Sequence, residues 1–292
     1  MPFPKLPELP GVKHNFVNVK GIKLHVAEAG HGKPLLLIHG WPQHWFVWRK
    51  IIPLLSDKYR LIMPDLPGFG WSEAPQNFDY NKGQLASFMI SLVDTLNLKQ
   101  VGLIGHDWGG FIGFLACLQE PEKFNKFLAL GIVHPFQQLD LRILESWKLN
   151  YQIQIAMPFF GELLLKNGST YLKKTMQKYS SNPNTWTEEE LNCFLDVIKQ
   201  PSVAHASSLI YRTFRNKEML PIMFGKYKNQ KLQVPTKLLI GEKDPVIRPS
   251  FIKGFEPYVD NMQVEYLKNC GHFIPEEMPD LVVKEIKSFF RT

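Results

Sequence analysis

The sequence predicts an α/β fold: a largely parallel sheet with helices on both faces, interrupted by a helical insertion. Three observations carry this expectation. Continuous apolar runs of strand length recur through the first half and again near the end, as strands buried on both faces require. Helix-period segments lie between these runs, the alternation of a doubly wound sheet. From about residue 134 to about residue 231 no buried-strand signal occurs and only helix-like segments remain. Residues 1–134 and 232–292 therefore form two parts of one core, with residues 135–231 inserted between them.

Taken in order, Phe16–Val19 and Ile22–Val26 alternate in hydrophobicity around Lys20-Gly21, which predicts an opening antiparallel hairpin with one wet face. Pro34–Ile38, Tyr59–Met63, Val101–Ile104 and Phe127–Ile132 read as buried parallel strands. Asn81 with Gln84 opens a helix like a capping box, and Phe88, Leu92 and Leu96 follow at helical spacing. Inside the insertion, Thr187 and Glu190 have the same capping signature, leading into Leu191, Phe194, Leu195 and Ile198. Strands resume at Thr236–Ile240 and Val264–Leu267, and an amphipathic helix over Leu281–Phe290 closes the chain.

The 292 residues carry 34 Lys and Arg against 27 Asp and Glu, a formal charge of +7. The basic residues are scattered, without the aromatic-interleaved stripe of a nucleic-acid surface, so no nucleic-acid partner is expected. Cys117, Cys193 and Cys270 are odd in number and far apart, which reads as free thiols in a reducing compartment. The Pro-rich start, Met1-Pro2-Phe3-Pro4-Lys5-Leu6-Pro7, lacks the apolar core of a signal peptide, and no run has the length to cross a bilayer. A cytoplasmic monomer or homodimer is the expectation.

The chemistry concentrates in Gly105-His106-Asp107-Trp108-Gly109, directly after the apolar run at Val101–Ile104. This is the spacing of a nucleophile elbow, the sharp strand-to-helix turn that lifts a reactive side chain above a sheet. Ser usually stands at its centre; here it is Asp. A Ser alkoxide attacks carbonyl carbon, whereas a carboxylate displaces a leaving group from sp³ carbon and forms an alkyl ester on the enzyme. Epoxide opening and halide removal are the two reactions of that kind. Hydrolysis of the ester needs a base for water and an acid to orient the base. His272, in Asn269-Cys270-Gly271-His272-Phe273, and Asp244, in Gly241-Glu242-Lys243-Asp244-Pro245, follow predicted strands in the right chain order. Glu242 is the alternative acid in the same loop. His39-Gly40-Trp41-Pro42 follows another strand where an oxyanion donor belongs, so the backbone N–H groups of Trp41 and Trp108 are the candidate pair. His106 is expected to point away from the nucleophile, and His39, His44 and His134 lack the downstream loop context and read as structural. Trp41, Trp147, Met157, Phe159, Phe160 and Met223 suggest an apolar pocket, with His39 and Trp108 beside the nucleophile completing its wall.

With His39-Gly40-Trp41-Pro42, Asp65-Leu66-Pro67-Gly68-Phe69-Gly70-Trp71-Ser72, Gly105-His106-Asp107-Trp108-Gly109-Gly110, Asp244 and His272 in place, the chain resembles α/β-hydrolases of the epoxide hydrolase type over nearly its whole length. The resemblance implies an α/β-hydrolase fold: a mostly parallel eight-stranded sheet flanked by helices, with an inserted helical cap. It implies a small apolar epoxide and water as substrates, no cofactor and no metal, and two cap tyrosines that hold the ring oxygen. Tyr211-Arg212-Thr213-Phe214 matches the first tyrosine motif and Tyr151-Gln152-Ile153-Gln154 the second, with Tyr171 and Tyr179 as substitutes for Tyr151. Two other readings stand beside it. A haloalkane dehalogenase would use the same Asp but needs N–H donors for halide, one of which the Trp108 indole could supply. Such enzymes commonly have Asn or Glu after His-Gly, where this chain has Trp41, and the similar fluoroacetate-type enzymes have Arg after the Asp, where it has Trp108. A non-catalytic ligand-binding protein of this fold would be free to lose the three catalytic positions, all of which are filled here.

Overall fold

The computed structural model describes residues 2–75, 77–137 and 150–291. Eight strands form one sheet in the order β1-β2-β4-β3-β5-β6-β7-β8: β1 (Val12–Val19), β2 (Ile22–Ala29), β3 (Lys33–Ile38), β4 (Tyr59–Pro64), β5 (Val101–His106), β6 (Phe124–Leu130), β7 (Thr236–Gly241) and β8 (Met262–Leu267). The hairpin β1–β2 and the β2–β4 pair are antiparallel; every pair from β4 to β8 is parallel. Every residue of β5 is buried, which a strand achieves only when both faces of the sheet are covered. Exposure rises toward the margin: β1 alternates between half-buried and exposed residues.

Eleven α-helices occur among the described residues: α1 (Ile52–Leu55), α2 (Lys82–Thr95), α3 (Trp108–Gln119), α4 (Asn150–Ala156), α5 (Phe160–Asn167), α6 (Ser169–Tyr179), α7 (Glu188–Ile198), α8 (Pro201–Thr213), α9 (Met219–Met223), α10 (Ile274–Glu277) and α11 (Pro279–Phe289). Helix α3 packs on β3, β5 and β6, with α2 alongside it. The described part of the chain between β6 and β7 holds α4 to α9 and no strand, the helical insert expected there. Residues 138–149, including the pocket candidate Trp147, lie outside the described residues. No helix among the described residues is long and apolar enough to cross a membrane.

Local chemistry explains several boundaries. Thr187 and Glu190 form the reciprocal capping box at the start of α7. Asn81 does cap α2, but its side chain accepts from the Gly83 N–H at 2.9 Å, one residue earlier than the expected box with Gln84. Strand β6 begins at Phe124, ahead of the apolar run, because Phe124 pairs with Val101 before a register shift at Val101/Gly102. The Asp65–Ser72 segment is tied down by Asp65 itself. Its carboxylate accepts from Trp45 N–H at 2.7 Å and Trp71 N–H at 3.0 Å and pairs with His25 Nδ1 at 2.7 Å. This buried node fixes the segment that follows β4.

Candidate active site

The C-terminal ends of β3, β5, β7 and β8 meet at one edge of the sheet, where open α/β sheets place functional groups. Asp107 follows β5 at φ 50° and ψ −125°, a left-handed setting that L-residues rarely adopt and that turns the side chain away from the strand. The turn closes only because its neighbours lack side chains. A Cβ on Gly109 would sit 2.1 Å from the Ile38 carbonyl oxygen, and one on Gly40 would sit 2.4 Å from Asp107 Cβ. The Asp107 carbonyl accepts from the Gly110 and Phe111 N–H groups at 2.8 and 3.1 Å, which starts α3.

Asp107 Oδ1 accepts from the Trp41 backbone N–H at 2.9 Å. Oδ2 lies 3.4 Å from His272 Nε2. On the far side of the ring, His272 Nδ1 is 2.8 Å from Asp244 Oδ2, and Asp244 Oδ1 accepts from Val246 and Ile247 N–H at 2.7 and 2.9 Å. All three side chains are buried. Burial alone would push the Asp107 carboxyl up, but the hydrogen bond and charge of His272, with smaller help from His106 and the Trp108 backbone N–H, hold it below the ordinary range. Burial alone would drive His272 down; the charge of Asp244 and the contacts with Asp107 overcome it and raise the imidazolium to about 10.

The insert closes the site from above. Tyr211 of α8 and Tyr151 of α4 are buried, with ring centroids 6.0 Å apart. Trp41 stacks on Tyr151 at 5.8 Å and meets Tyr211 edge-on at 5.2 Å, while Trp108 meets Tyr211 at 5.6 Å. Arg212 sets the two helices against each other, donating to the Ala156 carbonyl at 2.9 Å and to Ser208 Oγ at 2.8 Å; Ser208 in turn donates to the Ile155 carbonyl. Burial, followed by smaller effects that include the charge of Asp107, raises both phenols well above their ordinary value. Each therefore remains an O–H donor at neutral pH.

A narrow recess lies beside His272 and Tyr151. Trp41, Pro42 and Phe273 line it from the core, and Leu172, Met176 and Tyr179 of α6 from the insert.

The comparisons with known proteins fit this geometry. Residues 33–157 match the family model described as alpha/beta hydrolase fold. The chain is 30% identical to "Epoxide hydrolase 4" of Homo sapiens across 95% of this chain and 79% of that protein. The chain belongs to the epoxide hydrolase family of the α/β-hydrolase fold. "Soluble epoxide hydrolase" of Corynebacterium sp. (strain C12) is 28% identical over 96% of this chain and 97% of its own length. Among solved structures, "Epoxide hydrolase CorEH without ligand" superposes with a TM-score of 0.85 at 28% identity, covering 96% of this chain and 98% of that one.

Against this epoxide hydrolase family frame, the expected site residues divide clearly. Asp107, His272, Asp244, Tyr151, Tyr211, Trp41 and Trp108 come together. Of the expected pocket wall, Trp41 lines the recess and Trp108, His39, Phe159 and Phe160 do not. Phe159 is 86% exposed, and Phe160 and Met157 are each 47% exposed. They sit where α4 gives way to α5, on its outer side. His39 is fully buried and structural: its Nε2 accepts from the Leu66 N–H at 3.0 Å, which locks the β3 loop to the Asp65 node. Met223 is buried but outside the recess wall.

Of the wall on α6, the sequence pointed to Tyr179 only as a substitute for Tyr151 and passed over Leu172 and Met176, although these stand four apart on one helical face, which is a readable signal. It also passed over the brace behind His272. Glu277 accepts from the Gly271, Phe273 and Ser181 N–H groups at 2.9, 3.1 and 2.7 Å. His106 Nε2 lies 2.9 Å from the His272 carbonyl oxygen; it points away from the nucleophile, as expected, and steadies the base loop instead. Burial lowers His106 to about 4, so it is neutral and donates that bond.

Proposed function

We propose that the chain converts a small epoxide to a vicinal diol through an alkyl ester on Asp107, with residues 135–231 acting as the cap. The observation that carries this reading is the meeting of two protonated phenols, Tyr151 and Tyr211, with a carboxylate already engaged by an imidazole. Oδ1 of Asp107 is taken by the Trp41 N–H, which leaves Oδ2 to attack one epoxide carbon. As that C–O bond forms, the ring C–O bond breaks, and the departing oxygen takes hydrogen bonds and then a proton from the tyrosines. Their raised pKa values suit a strongly basic alkoxide, which requires a donor that stays protonated until it forms.

Ester formation changes His272. The Asp107 charge that helps hold its proton is gone, so the imidazolium becomes more acidic and gives up its proton, which restores the tyrosine hydroxyl spent on the ring oxygen. The neutral ring, oriented by Asp244, removes a proton from water as the water oxygen attacks Asp107 Cγ. The Trp41 and Trp108 N–H groups hold the resulting oxyanion. Collapse releases the diol, which carries away the former Oδ2, while the carboxylate keeps an oxygen from water. The names of the related epoxide hydrolases support the substrate class, and the apolar, aromatic wall of the small recess suits a compact hydrocarbon substituent.

The test is a side-by-side assay on a styrene-like epoxide and a bromoalkane of similar size. Diol from the epoxide without bromide from the second substrate is the expected result. Bromide release without diol formation would replace this reading with halide displacement on the same scaffold.

A further inference from the structure

One buried ion pair takes no part in the chemistry above. Lys82 is the first residue of α2 and Glu218 ends the turn after α8; both are essentially inaccessible. Lys82 Nζ lies 2.9 Å from Glu218 Oε2 and donates to the Ile210 carbonyl at 2.5 Å. Glu218 Oε1 also accepts from the Lys82 backbone N–H at 2.9 Å. The ammonium sits 4.6 Å above the Trp108 ring and 5.2 Å from that of Phe214.

Local rules disfavour this arrangement. A cation in the first turn of a helix opposes the helix dipole, and complete burial costs an ion more than a hydrophobic side chain of the same volume. Burial pulls the ammonium down to about 8 even with Glu218 beside it. The segment Phe214–Glu218 is itself a π-helical turn, a widened geometry uncommon outside functional sites. Sequences that break several local rules at one place tend to do so where function demands it.

The contacts show what is gained. Ile210 precedes Tyr211, and Trp108 follows Asp107. One ammonium therefore touches the immediate chain neighbours of the cap phenol and of the nucleophile. Glu218, from the insert, supplies the negative charge that the α2 N-terminus favours, so the pair also joins insert to core at this point.

We propose that Lys82 and Glu218 are positioning residues that set Tyr211 over Asp107 for epoxide opening. The proposal rests on the function argued above, and its role is confined to the first chemical step. Phenol placement governs ring opening, where a misplacement of an ångström is costly. Ester hydrolysis depends on His272, Asp244 and the Trp41 N–H, which the pair does not touch, and on the Trp108 N–H, whose residue the pair meets only at its side-chain ring.

The experiment measures single-turnover ester formation and ester breakdown separately, on the epoxide, for wild type, Lys82→Met, Glu218→Gln and Tyr211→Phe. Lys82→Met should slow ester formation by about tenfold or more and leave breakdown unchanged. Combined with Tyr211→Phe it should add less than about threefold, because both changes act through one phenol. Glu218→Gln should show the same pattern more weakly, and decides the matter if Lys82→Met fails to fold. Ester formation within about twofold of wild type, equal slowing of both steps, or the full Lys82→Met factor appearing again on Tyr211→Phe would each overturn the proposal. Amide hydrogen exchange gives a readout independent of turnover. Residues 211–218 should exchange about tenfold faster in the folded variant, with α7 unchanged; unaltered exchange there would also overturn it. A wild-type protein that forms no ester on the epoxide rejects the functional reading instead, and exchange then decides the role of the pair.

Discussion

His272 stands between two carboxylates, and that placement governs both its chemistry and its contribution to stability. Its folded pKa of about 10 lies above the ordinary value, so the stabilisation is full below about pH 6.5 and is lost as pH rises through the folded value. The stability difference between wild type and His272→Gln, measured by urea unfolding, should therefore shrink steadily from pH 6.5 toward pH 10. The same substitution removes the base for water but not the nucleophile. It should trap the ester, seen by intact-protein mass spectrometry as one added substrate mass on Asp107; sustained rapid turnover would remove His272 from its role. Tyr211→Phe and Tyr151→Phe should each raise the barrier to ester formation by about 2.7–4 kcal/mol, the usual cost of losing one oxyanion donor, with less than additive loss in the double variant. Stopped-flow single-turnover rates check this. Undiminished opening by both single variants would refute the cap-tyrosine assignment.

At the scale of elements, the strand-to-helix turn at Asp107 is tightly constrained. Gly109→Ala would drive a methyl group into the Ile38 carbonyl at 2.1 Å. Rigid backbone on both sides leaves no easy relaxation, so a loss of about 1–3 kcal/mol is expected by urea unfolding; unchanged stability would show that the turn has slack. This turn was legible in sequence because its requirements are local: small residues, a strand before it, a helix after it. The buried strands were legible for the same reason, through apolar runs that need both faces covered. Element ends were less so. Phe124 joins β6 because Val101 is beside it in space. Phe159 and Phe160 show the limit: an aromatic pair looks like pocket wall until the turn between α4 and α5 faces it outward.

At the scale of the whole molecule, ion pairs tie the two parts of the core to each other and to the insert. Arg49 binds Glu276 through two nitrogens at 2.6 and 2.8 Å and reaches Glu190 of α7 at 2.6 Å. Arg49→Met would leave Glu276 buried without its partner, which typically costs about 3–5 kcal/mol. The expected result is a large fall in the urea midpoint; a change under about 1 kcal/mol, the scale of an exposed pair, would show that Lys50, whose Nζ lies 3.2 Å from Glu276 Oε2, suffices as the partner. None of these partnerships could be read from the chain, since Arg49 and Glu276 are 227 residues apart and Lys82 and Glu218 are 136 apart. Sequence order pointed to Asp107, Asp244 and His272, which sit in short recognisable loops and meet in the structure. It could not give the ions that join insert to core, because tertiary packing alone selects those partners.

The central claim is that Asp107 itself becomes esterified, and isotopic oxygen tests it most directly. A single turnover of the epoxide is run with enzyme in excess in heavy-oxygen water. The account expects an unlabelled diol from that first turnover, its new oxygen drawn from the Asp107 carboxylate, and heavy oxygen in the peptide containing Asp107. Label in the first-turnover diol with none in that peptide would mean direct attack by water, and would contradict the covalent mechanism.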